Sequence, residues 1–282
     1  NPFFLLHRAG EAGETSGEVL FGQLAYSGNW RLVFDRQDPP GVRVYGGYNP
    51  FDFGLTLPPG GRHATPAFVL GRTREGRDGA SRALHAFQRS RVLPRAPGAP
   101  AHRPVLYNSW EVTLFNVDTK GQLELARRAA RIGVELFVID DGWFGARRSD
   151  GAGLGDWRVR PDAFPEGLGP LIEGIHRLGM RFGLWVEPEM VSPDSDLYRA
   201  HPDWILHFPG RPRTLGRRQC ILDFGRPEVV ERIFGDLSVL LSAHEIDFLK
   251  WDMNRCVTEP GSAAGREIWI RHCRGVYEVI DR

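Results

Sequence analysis

The chain has 282 residues, enough for one large domain or a domain with part of another, and its 41% hydrophobic and 25% charged content is ordinary for a globular protein in water. Lys and Arg number 36 against 35 Asp and Glu, a near balance that argues against nucleic acid or a membrane surface as the partner, since both favour a basic excess. No apolar run approaches the roughly 18 residues needed to cross a bilayer.

In chain order, the first hundred residues read as β-structure. After an apolar opening at 3–6, strand-like runs recur at 18–24, 30–34, 42–46 and 67–71. Ser27-Gly28-Asn29 and Pro58-Pro59-Gly60-Gly61 punctuate them as turns, the pattern of a sandwich. The Pro- and Ala-rich stretch PRAPGAPAHRP at 94–104 marks a linker. The domain organisation predicted is 1–95, a linker at 96–103, and 104–282. From there the period changes. A strand at 105–108 precedes a helix over 119–132 that stops at Gly133. A continuous apolar run then makes 134–140 a buried strand. A helix at 168–178 stops at Gly179, and 181–186 is the third strand. A short fourth strand is predicted at 220–224, and Pro227 starts a helix that runs to 243. A fifth strand covers 246–252, and a last helix begins near Ala263. This βαβα rhythm requires a parallel sheet with helical crossovers, as an open doubly wound sheet or a (β/α)₈ barrel. No glycine-rich phosphate loop follows the first of these strands, which weakens the nucleotide-binding version.

The strand ends carry the chemistry: Asn108-Ser109-Trp110-Glu111, Asp140-Asp141-Gly142-Trp143, Trp185-Val186-Glu187-Pro188-Glu189, Asp223, and Lys250-Trp251-Asp252-Met253-Asn254. In a barrel all of these ends share one face, where active sites are assembled from several strands. For Asp223 or Glu189 alone, a capping or ion-pair role weighs about as much as a functional one. Period two puts Lys250 and Asp252 on one face, where the ammonium would keep a nucleophilic carboxylate ionised. Asp140 and Asp141, as neighbours, diverge and could grip two different hydroxyls. Eight Trp favour a sugar site, with core packing as the competing explanation. The nine His show no metal-ligand spacing, so neither metal nor cofactor is expected, and no GxSxG elbow supports a serine hydrolase.

At these residues the sequence resembles the α-galactosidases of glycoside hydrolase family 36, the melibiases. The motifs are GGYNPFDF (46–53), PVLYNSWE (104–111), ELFVIDDGWFG (135–145), LGDW (154–157), FGLWVEPEMVSPDSDLYRAHPDW (182–204), GRRQCILDFGRPEV (216–229) and FLKWDMNR (248–255). The resemblance implies an N-terminal β-sandwich ahead of a catalytic (β/α)₈ TIM barrel, of which about the first five β/α units would be present. The implied activity is release of terminal α-galactose from melibiose- and raffinose-type oligosaccharides by a retaining mechanism. By motif position Asp252 would be the nucleophile. Lys250 and Arg217 would hold galactose hydroxyls, Asp140 and Asp141 would face the 4-OH and 6-OH, and Asn254 would reach the 2-OH. Trp110 and Trp185 would shape the pocket. Homo-oligomers of the full-length protein are also implied.

Retention needs two carboxyl groups about 5–5.5 Å apart. The family's acid/base lies in an SDNxD-like motif that these residues do not contain, so a longer parent chain is expected and this chain alone is expected to be inactive. The opening apolar run suggests that the N-terminus is also incomplete. The odd count of three cysteines suits a reducing compartment, and the high Arg, Ala and Gly usage suggests a bacterial gene, so the bacterial cytoplasm is expected. Alternatives of other classes are a raffinose-synthase-like galactosyl transferase, an α-N-acetylgalactosaminidase of the same fold, and a non-catalytic sugar-binding protein.

Overall fold

A computed structural model describes residues 2–38, 41–93 and 103–282. The chain divides into two compact units, one on each side of the Pro- and Ala-rich stretch. That linker lies outside the described residues, apart from Arg103 and Pro104.

In the first unit, alternation decides which residues turn inward. Strand β1 (Phe3–Leu6) pairs antiparallel with β2 (Val19–Leu24), Phe3 opposite Gln23 and Leu6 opposite Leu20. Along β2, Val19 and Phe21 are buried while Leu20 is exposed. A second layer is the hairpin of β3 (Trp30–Gln37) and β4 (Gly41–Tyr48), with Trp30 opposite Tyr48. Phe4 meets Phe34 edge-on, ring centres 5.5 Å apart, which brings the two layers together. Strand β5 (Phe68–Thr73) pairs with the other edge of β2.

An all-β reading of this unit misses helix α1 (Gly76–Phe87), continued by one wider turn at Gln88–Val92. Its buried residues Gly76, Ala80 and Leu84 recur every four positions. Ala80 and Leu84 share a small core with Val19 and Phe21. Two glycines conceal this stripe by lowering helix propensity. Gly76 has φ +63°, and a Cβ there would lie 2.4 Å from the Glu14 carbonyl oxygen. The glycine is therefore required by a close approach, and packing makes up the lost propensity.

The second unit is built on parallel strands β6 (Leu106–Asn108), β7 (Leu136–Ile139) and β8 (Arg181–Val186). Between β6 and β7 lie the single turn α2 (Trp110–Thr113) and the crossover helix α3 (Thr119–Arg131). The Asp118 carboxylate caps α3 by accepting from Gly121 N–H at 2.7 Å. Helix α4 (Gly169–Arg177) links β7 to β8. All four residues of β7 are buried, as a strand covered on both faces requires. Phe137, Ile139, Phe182 and Leu184 form the centre of the core.

After β8 come the short β9 (Met190–Val191), α5 (Asp196–Ala200) and β10 (Cys220–Ile221). Here the structure corrects the expected fourth strand. β10 pairs antiparallel with β9, outside the parallel sheet. Its flanking amides are spent on the loop that follows β8: Leu222 N–H donates to Glu189 O at 2.9 Å and Asp223 N–H to Trp204 O at 2.7 Å. After α6 (Pro227–Ala243), β11 (Phe248–Trp251) pairs directly with β8. The parallel sheet therefore has the order β6-β7-β8-β11 among the described residues. Helix α7 (Ile268–Asp281) closes the unit. No helix of the described residues is long and apolar enough to cross a membrane.

Candidate active site

The register of the sheet assembles the site. Asn108 lies opposite Val138, Ile139 opposite Leu184, and Val186 opposite Trp251. The residues just past these strand ends therefore emerge along one edge. Asp252 N–H still donates to Val186 O at 2.8 Å, so the nucleophile candidate stands on the last rung of the ladder.

Asp140 is buried, and three donors hold its carboxylate, which leaves room for a further one among its roughly four acceptor sites. Its Oδ2 accepts from Lys250 Nζ at 2.7 Å and from Asn108 Nδ2 at 2.6 Å, and its Oδ1 accepts from Asp141 N–H at 2.9 Å. Lys250 thus pairs directly with Asp140 and reaches Asp252 through its field alone. Burial by itself would raise the Asp252 carboxyl. Donors outweigh it: Trp185 Nε1–H at 2.9 Å and Asn254 Nδ2–H at 2.8 Å on Oδ2, and Met253 N–H at 3.0 Å on Oδ1, with Lys250 adding a further pull. The net effect holds Asp252 below its ordinary value, hence ionised at neutral pH.

Asp141 turns the other way, as the alternation of neighbours predicts. Its carboxylate takes a bidentate grip from Arg147, with Nη2 to Oδ2 at 2.8 Å and Nε to Oδ1 at 2.9 Å. The Arg147 side chain is 1% exposed. Its guanidinium also lies over the Phe115 ring, 5.4 Å from the centre, and Phe115 packs edge-on against Trp110. Gly142, with φ +104°, lets the chain pass: a Cβ there would sit 2.9 Å from the Phe115 backbone. Burial pushes the Asp141 carboxyl up, against the pull of Arg147.

Trp185 is buried and presents its indole N–H to Asp252. Phe144 stacks near it and Trp157 packs beside it, while Trp143 Nε1–H donates to the Trp185 carbonyl at 2.9 Å. Core packing therefore accounts for Trp143 and Trp157, both buried.

Arg217 stands on the tight turn 216–219, closed by Gln219 N–H to Gly216 O at 3.0 Å. Arg217 and Arg218 have φ +51° and +60°, two consecutive side-chain-bearing residues in the left-handed region. Each such residue costs roughly 1–2 kcal/mol. Arg255 braces the turn, donating from Nη1 to Gln219 O at 2.5 Å and from Nη2 to Thr214 O at 2.7 Å. Asp150 lies between Arg217 and Arg147, 3.4 and 3.6 Å from them. Arg218→Gly should leave stability to denaturant within about 1 kcal/mol of the starting protein, whereas Arg218→Val should lose about 2 kcal/mol, because β-branching worsens a left-handed φ. Equal unfolding midpoints for the two variants would show that the turn carries no such strain.

Asp223 and Glu189, two further strand-end acids, take structural partners. Asp223 is buried and accepts from Ser262 Oγ at 2.5 Å and Gly225 N–H at 2.9 Å. Glu189 lies 3.1 Å from His272 Nε2 and accepts from Trp251 Nε1–H at 3.3 Å. Sequence reasoning missed Arg147 and Arg255, which organise the Asp141 and Arg217 positions. Arg255 lies inside the KWDMNR motif and could have been singled out there, whereas Arg147 sits in an irregular loop with no periodic signal.

The melibiase family profile matches residues 62–282, and the profile of the glycosyl hydrolase family 36 N-terminal domain matches residues 1–58. The α-galactosidase AgaA of Geobacillus stearothermophilus is 44% identical over 286 residues, a match that covers 100% of this chain and 39% of AgaA. The crystal structure of AgaA superimposes with a TM-score of 0.94 at 44% identity, covering 100% of this chain and 40% of the other. An AgaA variant solved in complex with raffinose gives the same TM-score at 43% identity and the same coverage. The chain thus spans about two fifths of the length of the relatives it matches.

Proposed function

The chain belongs to the melibiases of glycosyl hydrolase family 36, and from that membership we propose that it carries the nucleophile half of a retaining α-galactosidase site. The single observation that supports this most is the state of Asp252: a carboxylate on the end of a parallel strand, kept ionised by three N–H donors and a nearby ammonium.

In the reaction, an Asp252 carboxylate oxygen attacks the anomeric carbon of the galactosyl unit while the bond from that carbon to the leaving-group oxygen breaks. The leaving oxygen takes a proton from a second carboxylic acid, which the family resemblance places in the SDNxD-like motif. Water then attacks the anomeric carbon, loses its proton to that same group, and releases galactose and the Asp252 carboxylate. Asp140 and Asp141 accept hydrogen bonds from the 4-OH and 6-OH of galactose. Lys250 and Arg217 donate to its hydroxyls, Asn254 faces the 2-OH, and Trp185 and Trp110 wall the pocket. The substrates are melibiose- and raffinose-type oligosaccharides. Residues 1–95 form the sandwich part and 104–282 the barrel part of the full-length protein.

The test is covalent. A slow fluorinated galactoside incubated with the full-length protein should accumulate a galactosyl-enzyme whose labelled peptide carries the sugar on Asp252. A label on any other residue overturns the assignment.

A further inference from the structure

Glu187 has no part in the reaction as described, yet it is 1% exposed and lies among the site's charges. A carboxylate buried this deeply survives only where donors replace its water. Its Oε1 accepts from the backbone N–H of Asn254 at 2.5 Å. The Gln219 amide approaches both of its oxygens at 3.5 Å. Each of these donors belongs to a segment that carries a site residue. Asn254 follows the nucleophile strand, and its side-chain amide donates to Asp252 Oδ2 at 2.8 Å. Gln219 closes the left-handed turn that presents Arg217.

We infer that Glu187 is a positioning residue. Its carboxylate pins the backbone after β11 so that the Asn254 amide caps Asp252, and it ties that segment to the turn bearing Arg217. The chain of contacts runs from Glu187 to the Asn254 backbone, then through the Asn254 side chain to the nucleophile. Two donors then converge on Asp252 Oδ2, Trp185 from β8 and Asn254 from beyond β11. Trp185 is held by its own stack of rings. Asn254 has no such wall: it is exposed, so its geometry depends on the bond that its backbone makes. Burial raises the Glu187 carboxyl, the Asn254 N–H lowers it, the Asp252 charge raises it, and the Arg217 charge and the Asn254 side-chain amide lower it. The net direction is upward. Holding a carboxyl there against the Asp252 charge fits a group retained for its acceptor geometry.

This inference rests on Asp252 as nucleophile, and its test separates the two. In the full-length protein, Glu187→Met keeps the volume and removes the acceptor, whereas Glu187→Gln keeps an oxygen for the Asn254 N–H. Glu187→Met should lower kcat on nitrophenyl α-galactoside by about 10²-fold with little change in KM, the scale of a misplaced reacting group. Glu187→Gln should recover activity to within about tenfold of the starting enzyme, since the hydrogen bond is restored. Hydrogen exchange of the peptide spanning 252–255 reads the same bond without catalysis: exchange should quicken in Glu187→Met and stay slow in Glu187→Gln. Unchanged kcat and exchange in Glu187→Met overturn the proposal, as does a Glu187→Gln variant as impaired as Glu187→Met. An active Asp252→Asn variant overturns the nucleophile reading instead, and leaves the exchange experiment to decide whether Glu187 pins Asn254.

Discussion

Asp252→Asn in the full-length protein should lower kcat on α-galactosides by about 10⁴–10⁶-fold, the scale on which enzymes lose turnover when a covalent nucleophile is removed. The substitution is nearly isosteric, and the donors around it remain. Trp185 Nε1–H and Asn254 Nδ2–H still find an amide oxygen at the Oδ2 position. The strand-end amide of residue 252 still pairs with Val186 O. The fold should therefore persist, and galactose should still protect the variant against thermal unfolding. Loss of turnover with ligand protection intact is the expected pair of results. Turnover within about tenfold of the parent would remove Asp252 from the chemistry, since no such variant can form the covalent intermediate. The pH profile gives a second reading. Because the folded Asp252 is held below its ordinary value, the acid limb it contributes to kcat/KM should lie below the ordinary aspartate range. Trp185→Phe removes one donor to the charged form, which raises the carboxyl and moves that limb to higher pH. The matching stability term has a defined sign. A depressed folded value contributes stability above the unfolded value, and that contribution is lost as pH falls through the folded value.

Asp141→Ala should cost roughly 10⁴-fold in kcat/KM on galactosides, because a site built to bind a hydroxyl fails when the polar partner is missing. The structure adds a second consequence. Arg147 is buried against this carboxylate, so the truncation strips its guanidinium of the bidentate partner and leaves only the partly exposed Asp150 carboxylate, 3.6 Å away. Breaking a buried pair from one side destabilises by about 3–5 kcal/mol, whereas replacing both partners with apolar groups is often neutral. The double variant Asp141→Ala, Arg147→Met should therefore recover most of the lost stability and none of the activity. That split distinguishes a sugar contact from a structural ion pair. If the double variant regains activity along with its melting temperature, Asp141 serves the fold and Asp140 alone faces the sugar.

Much of the architecture follows from local rules that a sequence carries openly. Gly133 and Gly179 end α3 and α4 with φ +85° and +79°, as a left-handed residue after a helix should. Pro227 opens α6 because a first-turn residue has no partner for its missing N–H. The unbroken apolar run of β7 declares a strand buried on both faces. The strand-end positions of Asp140, Lys250 and Asp252 were legible for the same reason: period and punctuation depend on near neighbours.

Tertiary structure alone decided the partners. Lys250 and Asp252 share a strand face, yet the Lys250 ammonium binds Asp140, 110 positions away in the chain, because β8 separates their strands and a long side chain can reach across it. The strand predicted at 220–224 looked like a sheet member, but a two-residue segment has few amides to offer, and the loop after β8 claimed them first. Helix α1 was hidden because its glycines answer a tertiary contact at the expense of helix propensity. Arg147, Arg255 and Glu187 act through groups 6, 36 and 67 positions distant. Which buried charge meets which donor depends on the order of strands in the sheet and on the paths of the loops between them, and neither is encoded in the spacing of residues along the chain.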